Sequence, residues 1–152
     1  MNPIYAILAI PFGLILYYDI RYFRIPNKIT YPTLPLVFLL HWNLGGDLVG
    51  AGIGFGVGLV MALLFAYLTP KGFGMGDVKL CALIGAFVGF PYIFWAIPLA
   101  ILLAMVAHLI AKFTVTVKKD ASYILPLAPF LIAGMLFALF FGDKIAAMFR
   151  GV

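Results

Sequence analysis

The chain contains no glutamate and few charged residues of any kind. Charged residues make up 10% of its 152 residues, whereas a soluble globular domain has roughly 25%. Apolar residues make up 66%, and the mean hydropathy is +1.18. This composition excludes an ordinary soluble domain. It predicts an all-α, polytopic membrane protein, because a helix satisfies its own backbone hydrogen bonds in lipid.

Cysteine and polar linkers are equally scarce. Cys81 is the single cysteine, which excludes an internal disulfide and a cysteine-cluster metal site. We expect it to pack as a small apolar residue. His41 and His108 stand apart from other metal-ligating residues, so neither a metal nor another cofactor is expected. No polar stretch or duplicated half divides the chain, and residues 1–152 are predicted to form one transmembrane domain.

Uncharged runs of the sequence predict the helices. These runs cover residues 1–18, 29–46, 48–70, 80–111 and 121–142. The first has no preceding basic residue and no small-residue cleavage site after it, so it is expected to be a retained helix and not a signal peptide. The fourth run would make a helix of about 48 Å, too long for a bilayer core of about 30 Å. Gly89-Phe90-Pro91 offers a turn within it, which gives about six transmembrane helices.

The basic residues predict which helix ends face the cytoplasm. With six helices, eight of the ten lysines and arginines fall on one face: Arg21, Arg24, Lys28, Lys71, Lys79, Lys112, Lys118 and Lys119. A single tilted fourth span would divide them seven to three. Because lysine and arginine favour the cytoplasmic side, we place this face there and both termini on the opposite side. The net charge of +5 therefore reflects orientation in the bilayer, and no nucleic-acid partner is expected.

Five alternating glycines open the third run, namely Gly50, Gly52, Gly54, Gly56 and Gly58. Small residues spaced four apart predict close packing of this helix against a neighbour in the membrane. A phosphate-binding loop would require a preceding strand and a following lysine and hydroxyl residue. Those features are missing, so helix packing is the favoured interpretation.

One acid stands among glycines in the segment Gly72-Phe73-Gly74-Met75-Gly76-Asp77-Val78-Lys79-Leu80. Asp77 begins the fourth predicted helix, and a carboxylate at the edge of a long apolar run points to a function because it is costly there. Asp19 ends the first predicted helix on the same face. Two neighbouring carboxyl groups share a proton, as in an aspartic protease, and we expect the three glycines to be a flexible approach that lets them meet.

These residues resemble the two signatures of type IV prepilin peptidases, aspartyl proteases of the GxGD type. One signature is Asp19 with Ile25-Pro26-Asn27, and the other is Gly74-Met75-Gly76-Asp77 with Val78-Lys79-Leu80. Pro126-Leu127-Ala128-Pro129-Phe130 is similar to a proline-rich element of the last catalytic helix in that family. The resemblance implies Asp19 and Asp77 as the catalytic pair. Site-supporting roles would fall to Gly74, Gly76, Lys79, Pro26 and Asn27.

The resemblance also implies a substrate and a location. The substrate would be a prepilin-like or preflagellin-like precursor, cleaved after its basic leader at the cytoplasmic face of the cell membrane. Larger members of the family carry an additional cytoplasmic region with paired cysteines and also N-methylate the product. Here ten residues at most separate the first two apolar runs, and Cys81 stands alone. We therefore predict a peptidase without N-methyltransferase activity.

Other interpretations concern the same acids and their neighbours. Lys79 is either a membrane anchor or a group that adjusts the charge of the two aspartates. Asp120 is expected in a solvated loop, and Asp47 and Asp143 at the opposite interface. A proton-coupled transporter would also use membrane carboxylates, but both acids lie at one face and no inverted repeat is evident. A non-catalytic assembly factor would not need to retain both aspartates.

Overall fold

The computed structural model describes residues 3–69, 73–114 and 126–150. Within these ranges the chain is helical and contains no strand. In chain order the helices are α1 (Pro3–Tyr22), α2 (Asn27–Asn43), α3 (Leu48–Leu68), α4 (Met75–Val88), α5 (Ile93–Thr114) and α6 (Ala128–Arg150). The predicted all-α fold and the break at Gly89-Phe90-Pro91 are confirmed.

Three of the described helices are long and apolar enough to cross a membrane. They are Leu48–Leu68, Ile93–Ile110 and Ala128–Ile145. Their presence agrees with a polytopic membrane protein. α4 has only 14 residues, or about 21 Å of helix, as expected for the shorter product of the divided fourth run.

α4 lies at the centre of the bundle. Every residue from position 80 to position 88 is buried, including Leu83 and Ile84 at 1% exposure each. A helix that is apolar and buried on all sides is a core element. The predicted packing of Cys81 is confirmed, since it is fully buried within this stretch.

The glycines of α3 determine how closely α4 can approach. A Cβ atom on Gly54 would overlap the carbonyl oxygen of Gly85, and one on Gly58 would lie 2.6 Å from the carbonyl oxygen of Cys81. Gly52 and Gly56 face open space. The predicted close packing is confirmed for one face of α3, and that face fixes the position of α4.

A short turn after α4 reverses the chain. Gly89 adopts a φ of +76°, and its N–H donates to Gly85 O at 2.9 Å. The following Phe90-Pro91 peptide bond is cis. The Phe90 N–H donates to the carbonyl oxygen of Gly50 at 2.9 Å. The end of α4 is thereby attached to the beginning of α3, so the two helices run antiparallel.

α5 and α6 form a second close pair. A Cβ atom on Gly134 would overlap the carbonyl oxygen of Ala96. Near the start of α5, the Tyr92 hydroxyl donates a hydrogen bond to the carboxylate of Asp143. These contacts align α6 antiparallel to α5. As a result, the ends of α1, α3 and α5 and the beginnings of α2, α4 and α6 lie at one end of the bundle.

Candidate active site

Asp19 lies in the last turn of α1, with its side chain 5% exposed. Its Oδ2 accepts a hydrogen bond from the backbone N–H of Ala128 at 2.9 Å, and the Leu127 N–H also interacts with it. Ala128 is the first residue of α6. Backbone N–H groups at a helix N-terminus have no partner within the helix, and the helix dipole favours negative charge there. The beginning of α6 is therefore an anion site that Asp19 occupies.

The turn after Asp19 is built without glycine. Helix α1 ends three residues later, at Tyr22, so the expectation that Asp19 itself ends the helix is wrong. Phe23 adopts a left-handed φ of 51°, and its N–H donates to the carbonyl oxygen of Asp19 at 2.8 Å. A left-handed conformation costs a residue other than glycine about 1–2 kcal/mol. The strained residue Phe23 is thus hydrogen-bonded to the main chain of Asp19, a candidate catalytic acid.

Asp77 is held by its own helix. Helix α4 begins at Met75, two residues before the predicted start, because Gly74 takes an extended conformation and serves as the N-cap. The Gly74 N–H donates to Asp77 Oδ2 at 3.0 Å. A carboxylate at the third helical position that bonds back to the N-cap N–H stabilises a helix start. The half-buried Asp77 is thus fixed by a contact spanning three residues.

Gly74 and Gly76, the two described glycines that precede Asp77, have defined positions at the start of α4, and the flexible approach stays a prediction. Gly74 is the N-cap, and Gly76 belongs to the first turn of α4. A Cβ atom on Gly76 would lie 3.2 Å from the Cβ of Ile25, so glycine permits close contact with the α1–α2 turn. Gly72 and Lys71 lie outside the described residues. Gly76 therefore acts through close packing.

The fold brings the two acids to one end of the bundle. The start of α4 packs against the turn that follows Asp19, and the carboxyl groups are close enough for their charges to interact. Each has one oxygen that accepts a backbone N–H, from Ala128 for Asp19 and from Gly74 for Asp77. Two carboxyl groups at one end of an apolar bundle are groups that acid–base hydrolysis would use.

Lys79 joins α4 to α2. Its Nζ donates to Asn27 Oδ1 at 3.0 Å and lies 4.9 Å from the centre of the Tyr31 ring. Asn27 is the first residue of α2 and does not cap it, because Pro26 is the N-cap and makes no side-chain cap bond. Asn27 directs its side-chain oxygen to Lys79 instead. The pair connects two helix beginnings beside the site.

The site residues chosen from the sequence did not include the start of α6. Pro126 and Pro129 do signal a helix start, since proline is favoured in the first turn. However, the groups that hold Asp19 are the backbone N–H groups of Leu127 and Ala128. Every residue except proline carries such a group, so no side-chain pattern identifies them.

The remaining acids lie elsewhere. Asp47 caps α3 by accepting the Gly50 N–H at 2.8 Å, and Asp143 binds Tyr92. Both are at the opposite end of the bundle from Asp19 and Asp77, in agreement with the predicted opposite interface. Asp120, Lys118 and Lys119 lie outside the described residues. In the described part of the chain, no group of three or more His, Cys, Asp or Glu side chains has the arrangement of a metal site.

The chain is similar to known proteins over most of its length. A match to the type IV leader peptidase family covers residues 6–142. A prepilin leader peptidase/N-methyltransferase of Bacillus subtilis (strain 168) is 32% identical over 138 residues, which is 86% of this chain and 52% of that protein. One of the same name from Stutzerimonas stutzeri is 31% identical over 155 residues, covering 95% of this chain and 52% of the relative.

A third relative of that name, from Pseudomonas putida, is 30% identical over 131 residues, which is 81% of this chain and 44% of the relative. The chain thus spans about half the length of the curated relatives it matches. No solved structure matches it.

Proposed function

We propose that this chain, which belongs to the type IV leader peptidase family, is an aspartic endopeptidase. It removes the basic leader from prepilin-like or preflagellin-like precursors at the cytoplasmic face of the cell membrane. The observation that supports this function best is the pair Asp19 and Asp77. The two acids are 58 positions apart, by the difference of their numbers, and lie at the same end of an apolar bundle with interacting charges.

The two acids take different roles in the proposed reaction. Two backbone N–H groups at the start of α6 contact the carboxyl group of Asp19, and we assign to Asp19 the role of the base that removes a proton from the attacking water. Asp77 is assigned the role of the protonated partner, which donates a hydrogen bond to the oxygen of the scissile carbonyl. After water adds to the carbonyl carbon, Asp77 protonates the leaving amine and the C–N bond breaks. The proton that Asp19 took from water then passes to Asp77, which restores the starting state.

The peptidase is proposed to act without N-methyltransferase activity. Helix α1 ends at Tyr22 and α2 begins at Asn27, which leaves four residues between them and no space for a folded insertion. Cys81 is the single cysteine and is buried in α4. Incubation of the cleaved product with the purified protein and a labelled methyl donor should transfer no label. Transfer of label would contradict this part of the proposal.

Cleavage of a prepilin-like peptide in detergent tests the catalytic pair. We expect Asp19→Asn and Asp77→Asn each to lower the rate at least about 100-fold, the usual contribution of a general acid or base. Asp47→Asn is the matched control, because Asp47 also accepts a backbone N–H but lies at the opposite end of the bundle. The proposal fails if either of the first two variants cleaves at the wild-type rate.

A further inference from the structure

An apolar groove runs between α1 and α2, beside the candidate active site and separate from it. Its volume is about 430 Å³, and its described lining includes Ile7, Ile10, Leu14, Lys28, Thr33 and Leu36. The Thr33 hydroxyl donates to the carbonyl oxygen of Ile29 at 2.6 Å and is satisfied within its own helix. Ile10 is 70% exposed, so the groove opens outward. Lys28 is the one charged residue of this lining.

The charged and apolar parts of the groove lie at different depths. Lys28 is in the first turn of α2, at the end of the bundle that carries Asp19. Exposed aromatic and basic side chains surround this level: Tyr17, Tyr22, Phe23, Tyr31, Arg21 and Arg24. Such a belt marks the headgroup region of a membrane. From there the apolar lining extends along α1 from Leu14 to Ile7, about 10 Å at 1.5 Å per residue.

We propose that this groove binds an anionic phospholipid, with an acyl chain between α1 and α2 and the headgroup phosphate on Lys28. The charge matches, since the one charged side chain of the groove lining, Lys28, stands at headgroup depth. The site depends on α1 and α2 lying in the bilayer and not on the peptidase activity.

Lipid retention tests the headgroup contact. The protein is reconstituted in vesicles of equal phosphatidylglycerol and phosphatidylcholine, extracted in mild detergent, and its bound lipid is measured by mass spectrometry. A lysine near the membrane surface attracts an anionic lipid by about 1 kcal/mol, which corresponds to about fivefold enrichment of phosphatidylglycerol. Lys28→Gln should remove this enrichment. Arg24→Gln should keep it, because Arg24 is exposed at the same level but does not line the groove.

Filling the groove tests the acyl-chain contact. Leu36→Trp should release bound lipid of both headgroups, whereas Leu39→Trp should not, since Leu39 is 56% exposed on α2 outside the groove. If Lys28→Gln still retains more phosphatidylglycerol than phosphatidylcholine, the proposal is wrong. This variant changes only an exposed side chain, so it is expected to fold like the wild type. The proposal is also wrong if Leu36→Trp retains as much lipid as the wild type and cleaves a full-length precursor more slowly, but not a leader peptide. That result would assign the groove to the apolar helix of the precursor.

Discussion

Asp19 and Asp77 are both bound by a backbone N–H, but the two donors differ in origin. The donor to Asp77 is Gly74, three residues earlier in the same helix start. The donor to Asp19 is Ala128, 109 residues later and on the last helix. Asp77 is therefore oriented as soon as α4 forms, whereas Asp19 is oriented only when α1 and α6 pack together. One acid depends on local structure and the other on the completed fold.

The largest effect is expected from removing the donor to Asp19. Ala128→Pro deletes one N–H at the first position of α6, where proline is tolerated. A hydrogen bond to a charged group contributes about 1.5–3 kcal/mol, or roughly one to two pH units. Because ionised Asp19 is destabilised, activity should be lost at the acidic side of the pH profile, and that limb should move to higher pH by this amount.

Ala128→Gly is the control for this measurement, since it retains the N–H and should leave the acidic limb in place. Equal pH profiles for Ala128→Pro and the wild type would show that Asp19 does not act as the ionised base.

The position of α4 can be disturbed without touching either acid. Gly54→Ala places a methyl group against the Gly85 carbonyl oxygen, and overpacking of this kind costs about 1–3 kcal/mol. We expect lower thermal stability in detergent and slower cleavage, because α4 carries Asp77. Gly56→Ala faces open space and should raise stability by about 0.5–1 kcal/mol. Equal behaviour of the two variants would refute the assigned role of the α3 glycines.

Stability measurements can compare the long-range contact of Asp19 with the local contact of Asp77. Asp19→Ala leaves the buried N–H groups at the start of α6 without a partner, which costs about 1–3 kcal/mol. Asp77→Ala releases the Gly74 N–H, which lies in an exposed segment, and should cost about 0.5–1 kcal/mol as a lost cap interaction. Denaturant titration of both variants in detergent should therefore rank Asp19→Ala as the less stable. The reverse order would contradict the comparison.

The smallest effect concerns the link between Lys79 and Asn27. A double-mutant cycle with Lys79→Met and Asn27→Ala should give a coupling energy below about 1 kcal/mol, since the pair is exposed to solvent. Lys144→Met combined with Asn27→Ala is the control and should show no coupling, because Lys144 lies over Phe141 at the other end of the bundle. Zero coupling for Lys79 would mean that the contact does not join α2 to α4 in solution.

Sequence patterns that act locally predicted much of this fold. Apolar runs gave the helices, Gly89-Phe90-Pro91 gave the break, and glycine spacing gave close packing of α3. Spacing did not distinguish the face of Gly54 from that of Gly56, because this requires knowledge of where α4 lies. Both acids were chosen as the candidate pair, and the structure brings them to one end of the bundle.

The details that the sequence did not predict depend on tertiary contact. Asn27 has the side chain of a good helix cap, yet it bonds to Lys79 once α2 and α4 are adjacent. The glycines beside Asp77 suggested flexibility, but Gly76 allows close contact with Ile25. The start of α6 holds Asp19 through main-chain groups that are common to almost all residues.

The junction between Asp19 and α6 also has an evolutionary consequence. The donor at position 128 belongs to the main chain, so any small residue other than proline supplies it, and selection there acts on size instead of chemical type. Asp19 has no such freedom in the proposed mechanism. Substitution patterns among relatives would then reveal one half of this contact as an invariant acid and leave the other half inconspicuous.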